Sequence, residues 1–261
     1  MIGILDSGIG GLVAARTIGE VLAGYDITYW GDTARSPYGT KSRIVASRGV
    51  RQGMEFLTRK GAKLVVITCD TASEVGSQEF SDLCDVPVLD IVTSSACQAL
   101  DISKSQRIGV IAEPATIDDG AYERKIKSMN SDATVYSVAA PLIGMLVDAG
   151  WTKKPETVRI VKTYLYPLKA RQIDTLIVGC SRYLPLKAVM QRKIPKRAAV
   201  VDSAMALALQ IRRYLTDHPK LDQTLSQNGR QTVFVTDISA SIELAAKRFY
   251  GKNICLRSTD L

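Results

Sequence analysis

Two thiols stand where chemistry could be done. Cys69 ends the run Lys63-Leu-Val-Val-Ile-Thr-Cys69 and is followed by Asp70, Thr71, Ala72 and Ser73. Cys180 ends the run Asp174-Thr-Leu-Ile-Val-Gly-Cys180 and is followed by Ser181, Arg182 and Tyr183. A short continuous apolar run of this kind predicts a buried parallel strand. Asp70, Thr71 and Ser73 can each open a helix behind the first thiol. A thiol at a strand's carboxyl end lies where open α/β sheets bind ligands, and a neighbouring helix N-terminus favours its reactive thiolate form.

Other chemistries are narrowed by what the chain holds. Its one histidine, His218, lies in the polar stretch Thr216-Asp-His-Pro-Lys220 and reads as a surface loop residue. Unless His218 reaches the site, Ser-His-Asp triads, Cys-His pairs and histidine-rich metal sites are out, so acid and base must come from thiols, carboxylates, Tyr or Lys. The five cysteines, at 69, 84, 97, 180 and 255, are odd in number and form no CxxC pair, which argues against a disulfide framework or a structural zinc. Cys84, Cys97 and Cys255 read as small buried hydrophobes.

The elements that must position the thiols alternate between strand and helix. Ile2–Leu5 is a strand leading to Asp6-Ser-Gly-Ile-Gly-Gly11 and a helix to about Leu22; its glycines allow a tight turn but match neither the dinucleotide fingerprint nor the Walker loop. Asp6 either caps that helix or shares a rim with Cys69. Strand Ile27–Trp30 precedes the loop Gly31-Asp-Thr-Ala-Arg-Ser-Pro-Tyr-Gly39, whose breakers and polar content suit a ligand-facing loop, and a helix from about Ser42 to Lys60 follows. After Cys69 come a helix to about Leu83, a strand Val86–Asp90 and a helix from Ser94 to Leu100.

The layout then restarts: strand Arg107–Ala112, a loop and helix opening at Glu113–Ile117, strand Thr134–Val138, helix Pro141 to Asp148, helix Pro155 to Lys169, and the Cys180 strand. Strand Ala198–Asp202, helix Ser203–Leu215, a polar connection, strand Thr232–Thr236 and helix Ser239–Phe249 end it. The prediction is an α/β protein with two similar domains, residues 1–92 with 204–261 and residues 93–203, each a parallel sheet flanked by helices.

Length and composition agree with such a fold. The chain has 261 residues, 46% hydrophobic and 23% charged, which is ordinary globular usage. No apolar run reaches the ~18 residues of a membrane span and no signal-peptide pattern opens the chain, so the expected setting is cytoplasmic, with no membrane partner. The net charge of +8 raises a nucleic-acid reading, but Lys and Arg are dispersed and no recognition signature appears.

Four segments carry a family resemblance: Asp6-Ser-Gly-Ile-Gly-Gly11, Gly31 to Gly39, Cys69-Asp-Thr-Ala-Ser73 and Gly179-Cys-Ser-Arg-Tyr183. Together with Gly120-Ala-Tyr122 and Leu146-Val-Asp148, they resemble glutamate racemases of the cofactor-independent aspartate/glutamate racemase superfamily over nearly the whole chain. The resemblance implies two α/β domains related by a pseudo-two-fold axis, with the site in the cleft between them and the C-terminal segment packed on the first domain. It implies an isomerase that inverts an amino acid's α-carbon, a base on one face and an acid on the other. The role it implies is supply of a D-amino acid to peptidoglycan in the cell wall.

In that scheme Cys69 and Cys180 are the two thiols, each serving one enantiomer, and Asp6 and Asp148 tune them. Ser7, Pro37, Tyr38, Gly39, Asp70, Thr71, Thr116, Ser181 and Arg182 surround the substrate, an amino acid or related carboxylate. No cofactor and no metal is implied. Family members often dimerise, so a homodimer is left open.

Three departures change charge. The family's Cys-Asn-Thr is Cys69-Asp70-Thr71, its Cys-Thr-His is Cys180-Ser181-Arg182, and a family threonine is Glu113. Asp70 would repel a substrate carboxylate by ~4 kcal/mol at ~4 Å and an effective dielectric of about 20, and would raise the Cys69 thiol. An Asp70–Arg182 ion pair is the expected compensation. The alternative function is therefore an altered reaction or a non-catalytic ligand- or partner-binding protein.

Overall fold

The computed structural model describes residues 1–76 and 85–259 and divides into two units, Met1–Ile91 with Leu207–Leu261, and Val92–Ala206. The first unit begins with β1 (Ile2–Asp6), α1 (Leu12–Val21), β2 (Ile27–Gly31), a 3₁₀ turn (Tyr38–Thr40), α2 (Arg43–Arg59), β3 (Leu64–Ile67), α3 (Asp70–Gly76) and β4 (Val88–Asp90). α4 (Ile91–Ile102) leads into the second, with β5 (Arg107–Ala112), α5 (Pro114–Asp119), α6 (Ala121–Met129), β6 (Thr134–Ala139), α7 (Pro141–Asp148) and α8 (Pro155–Ala170). That unit continues through β7 (Thr175–Gly179), a 3₁₀ stretch (Ser181–Leu186), α9 (Lys187–Lys193) and β8 (Ala199–Val201). α10 (Ser203–Asp217) returns the chain to the first unit, which ends with α11 (Pro219–Asp222), β9 (Gln231–Val235), α12 (Ala240–Phe249) and β10 (Leu256–Ser258).

Both sheets are parallel, ordered β10-β9-β2-β1-β3-β4 and β6-β5-β7-β8. Strands β1, β3 and β7 are buried along their whole length, as continuous apolar runs covered on both faces must be. α2 shows how a helix is fitted to such a sheet. Ser42 caps it, its hydroxyl accepting the Val45 N–H at 3.4 Å. Ala46, Gly49, Val50, Gly53, Met54 and Leu57 recur every three or four residues and form its buried face. Gly53 is required by close approach, since a methyl there would lie 2.5 Å from the Trp30 ring.

The parallel α/β architecture agrees with the sequence reading, and the differences are local. β3 stops at Ile67, two residues short of Cys69, because Thr68 turns its hydroxyl onto Asp6 at 2.8 Å while its N–H still meets the Leu5 carbonyl at 3.0 Å. Cys180 is followed by a 3₁₀ stretch containing Pro185, so no α-helix N-terminus stands directly behind it. The basic segment after Lys187 forms α9, and β10 adds a strand where the chain was expected to end in a helix. The expected helix to Leu83 is described as far as Gly76, and its remainder, with Cys84, lies outside the described residues. Cys255 is exposed and Cys97 partly so, which corrects their reading as buried core thiols. No helix among the described residues is long and apolar enough to cross a membrane.

Candidate active site

In the first sheet the chain passes from β1 to β2 on one side and then to β3 on the other. The crevice beyond the carboxyl ends of β1 and β3 is thus a topological switch point, where α/β sheets take ligands. Asp6 closes β1 there, 3% exposed, its carboxylate accepting the Gly8 N–H at 3.0 Å and the Thr68 hydroxyl at 2.8 Å. It does not cap α1, whose N-cap is Gly11. Gly11 is fixed by Asp6 in turn, because a methyl on it would lie 2.6 Å from the Asp6 carboxyl carbon.

Cys69 sits beside this acid, partly exposed at the start of α3. Burial pushes its thiol up to about 12, Asp6 and Asp70 push the same way, and donors from Ser7 and the Ala72 N–H pull it down without prevailing. The thiolate preference expected from a helix N-terminus is therefore outweighed, in the direction expected from Asp70. The donor is present, but burial and two carboxylates outweigh it. Tyr29 completes this wall; its hydroxyl donates to the Gly8 carbonyl at 2.9 Å, and burial followed by Asp6 and Cys69 hold it well above its ordinary value.

The Gly31–Gly39 loop is anchored by a residue to which the sequence reading gave no role. Asp32 is fully buried and accepts hydrogen bonds from Tyr38 at 2.7 Å, Arg35 at 2.6 Å and Thr236 at 2.9 Å. The Tyr38 hydroxyl is thus committed, and its side chain is buried. Gly39, the next residue, is exposed. Gly49 makes the space, since a methyl there would lie 2.7 Å from the Asp32 carboxylate. Pro37 follows a cis peptide bond and is partly exposed, as are Ser7 and Thr71, whereas Asp70 is buried. The signal that could have found Asp32 was its place inside a long polar motif.

The second sheet repeats the switch. The chain runs from β5 to β6 on one side and to β7 on the other, with Ala112 opposite Gly179 in register. The next residue of each strand's continuation, Glu113 and Cys180, therefore flank the crevice. Cys180 is 9% exposed and Ser181 5%. Arg182 turns back over it. One guanidinium nitrogen, Nη2, meets Glu113 Oε1 at 2.7 Å, and the other, Nη1, meets Asp148 Oδ2 at 2.9 Å. Within its own unit its guanidinium is thus shared by two carboxylates, neither of them the Asp70 expected from the sequence.

Burial alone would lower the Arg182 pKa, but the adjacent Cys180, then Asp148 and Glu113, more than offset it and keep the group charged. Tyr183 is fully buried and donates to the Ala140 carbonyl at 2.8 Å; burial, then Cys180 and Glu113, hold its hydroxyl far above its ordinary value. Thr116 is buried in α5. His218 is exposed, its ring stacked on Tyr214 with centroids 4.0 Å apart. Among the described residues no cluster of His, Cys, Asp or Glu is placed to hold a metal ion.

A strand-end thiol and a strand-end acid thus recur at the switch point of each parallel sheet. The Asp/Glu/hydantoin racemase family model matches residues 15–211. Glutamate racemase of Syntrophus aciditrophicus (strain SB) is 36% identical over 259 residues, covering 97% of this chain and 93% of that protein. The chain belongs to the Asp/Glu/hydantoin racemase family and is an isomerase of the amino-acid racemase type. Among solved structures it is similar to glutamate racemase isoform RacE1 of Bacillus anthracis, with a TM-score of 0.92 and 30% identity over 100% of this chain and 97% of that one. The Francisella tularensis glutamate racemase in complex with D-glutamate gives 0.90 and 29%, over 99% and 97%.

Proposed function

We propose that the chain racemises an acidic amino acid, with glutamate as the first candidate, by a two-thiol mechanism in which Cys69 acts on one enantiomer and Cys180 on the other. What carries the reading is a thiol just past the carboxyl end of β3 in one unit and of β7 in the other, in a chain over a third identical to a curated glutamate racemase. One thiolate removes the α-proton, leaving a carbanion whose charge spreads into the adjacent carboxylate. The opposite thiol then delivers a proton to the other face, and the two thiols exchange protonation states with each turnover.

In the resting protein Cys69 holds its proton tightly. The substrate's α-ammonium, a cation arriving beside Asp6 and Asp70, offsets the two charges that oppose the thiolate and so makes the base available when substrate is bound. Ser7, Thr71, Thr116, Ser181 and the main chain of Tyr38 and Gly39 are the groups proposed to hold the substrate's carboxylate and amino ends. The product serves peptidoglycan assembly, in a cytoplasmic setting.

The test is incubation with L- and D-glutamate in heavy water, following loss of the α-proton signal by NMR and inversion by chiral chromatography, and then with a panel of other amino acids. Exchange and inversion of glutamate support the proposal. Exchange confined to another amino acid keeps the mechanism and replaces the substrate. Silence across the panel with folded protein overturns the reading in favour of a non-catalytic binder. Cys69→Ser and Cys180→Ser should each abolish racemisation; an unchanged rate in either removes the two-thiol mechanism.

A further inference from the structure

Glu113 was met in the sequence as an isolated charge change, but its place in the fold gives it a partner and a counterpart. In the first sheet an acid at the end of β1, Asp6, neighbours the thiol that follows β3. In the second sheet the residue just past β5 is Glu113, and the thiol that follows β7 is Cys180. The positions correspond strand for strand in the orders β2-β1-β3-β4 and β6-β5-β7-β8. Between Glu113 and the thiol stands Arg182, to which Glu113 is bonded at 2.7 Å with only about a fifth of either side chain exposed.

We infer that Glu113 is a positioning residue for Cys180: sharing Arg182 with Asp148, it holds the guanidinium against the thiol and counterbalances its charge, so that Cys180 can exist in both protonation states. A half-buried guanidinium beside a thiol, left alone, stabilises the thiolate and opposes the return of its proton. A thiol that must serve as acid in one direction and base in the other needs that charge moderated. Two carboxylates on one guanidinium do so. Gly144 of α7 supports the arrangement, since a methyl there would lie 2.7 Å from Glu113 Oε1 and 3.1 Å from Arg182 Nη2. Only a residue without a side chain leaves the pair in place.

Among the described residues, the ionisable groups near Cys180 in its unit include Arg182 and Tyr183 on its own turn, Glu113 from the end of β5, Asp148 from the end of α7 and Tyr122 of α6, whose ring packs at the neighbouring Gly179. Lys187, further along, is committed to Asp202 at 2.9 Å. The need for two protonation states rests on the proposed two-thiol reaction; the effect of Glu113 on the thiol does not, and the experiment reads that effect directly.

The full-length protein is alkylated with iodoacetamide across a pH series, and label at Cys180 is quantified by peptide mass spectrometry, with the exposed Cys255 as internal reference. Glu113→Gln keeps an acceptor for Arg182 but removes the charge. It should move the Cys180 profile down by about one pH unit, roughly tenfold faster labelling below the midpoint. Arg182→Gln should move it up by at least as much. Opposite shifts with Cys255 unchanged support the inference, and a merely structural role would not produce them. An unmoved profile in Glu113→Gln, or shifts of the same sign in both variants, overturns it. If the shifts appear while α-proton exchange fails, the reaction is refuted and the electrostatic role stands.

Discussion

Cys69 offers the sharpest number. Its thiol is raised from an ordinary 9.0 to about 12. Three units correspond to about 4 kcal/mol of preference for the protonated form. At pH 8 an ordinary thiol is about one-tenth thiolate, whereas one at about 12 is ionised to ~10⁻⁴, so alkylation should be roughly a thousandfold slower than at an unperturbed site. Burial is the larger cause and Asp6 the next. Asp6→Asn should therefore recover part of the gap, about one unit or a tenfold faster reaction at pH 8. The amide still accepts one hydrogen bond, from the Gly8 N–H or the Thr68 hydroxyl, so the turn keeps most of its anchoring. Peptide-resolved iodoacetamide labelling measures this, with Cys255 in the same molecule as the exposed reference. Native protein in which Cys69 reacts as fast as Cys255 would refute the claim that burial and charge silence it. An Asp6→Asn variant that labels Cys69 more slowly would refute the part assigned to Asp6.

Further expectations concern stability and space. Asp32→Asn leaves Arg35 facing a neutral amide in a buried setting, which should cost about 3–5 kcal/mol and lower the melting temperature by roughly 10 °C in a calorimetric scan. A change of under two degrees would count against the cluster as an anchor of the loop. Gly144→Ala forces the Glu113–Arg182 pair to shift; a loss of about 1–3 kcal/mol is expected by denaturant titration, with a displaced Cys180 labelling profile. Above pH 9 the unfolded chain releases the Cys69 proton while the folded chain retains it up to about 12, so stability should fall as pH rises through that window and be unaffected by this group below it. Cys69→Ser should flatten part of that slope in alkaline denaturant titrations, while Tyr25, Tyr29, Tyr38, Tyr183 and Tyr250, whose values are raised as well, continue to contribute.

The alternation of strands and helices was legible because apolar runs such as Leu64–Ile67 and Thr175–Gly179, buried on both faces, leave no polar face to obscure them. β10 was not, because Leu256–Ser258 is a short edge strand with two of its three residues exposed, and its pairing with β9 is a tertiary fact. Asp32 escaped notice for a different reason. A buried carboxylate is recognised by its donors, and Thr236 lies 204 positions away in sequence. The thiols themselves could be found, because strand ends concentrate function. The balance at Cys69 could not, because the helix N-terminus and the carboxylates act in opposition there and only the packing decides which prevails.

The charge changes around Cys180 illustrate what a list of substitutions conceals. Taken singly, a glutamate in place of a threonine and an arginine in place of a histidine each unbalance a half-buried site, and the sequence reading sought the missing counter-charge at Asp70. In the fold Glu113 and Arg182 are one change made of two residues, 2.7 Å apart and together with Asp148 leaving net negative charge beside the thiol. An arginine, unlike a histidine, does not titrate near neutral pH and cannot itself carry a proton through the reaction. In the proposed two-thiol reaction the proton at this strand end is then carried by Cys180. Its ionisation is held between one fixed positive charge and two carboxylates, so the pH dependence of turnover in the direction where Cys180 is the base should follow the thiol and carry no histidine-like step near pH 6.5.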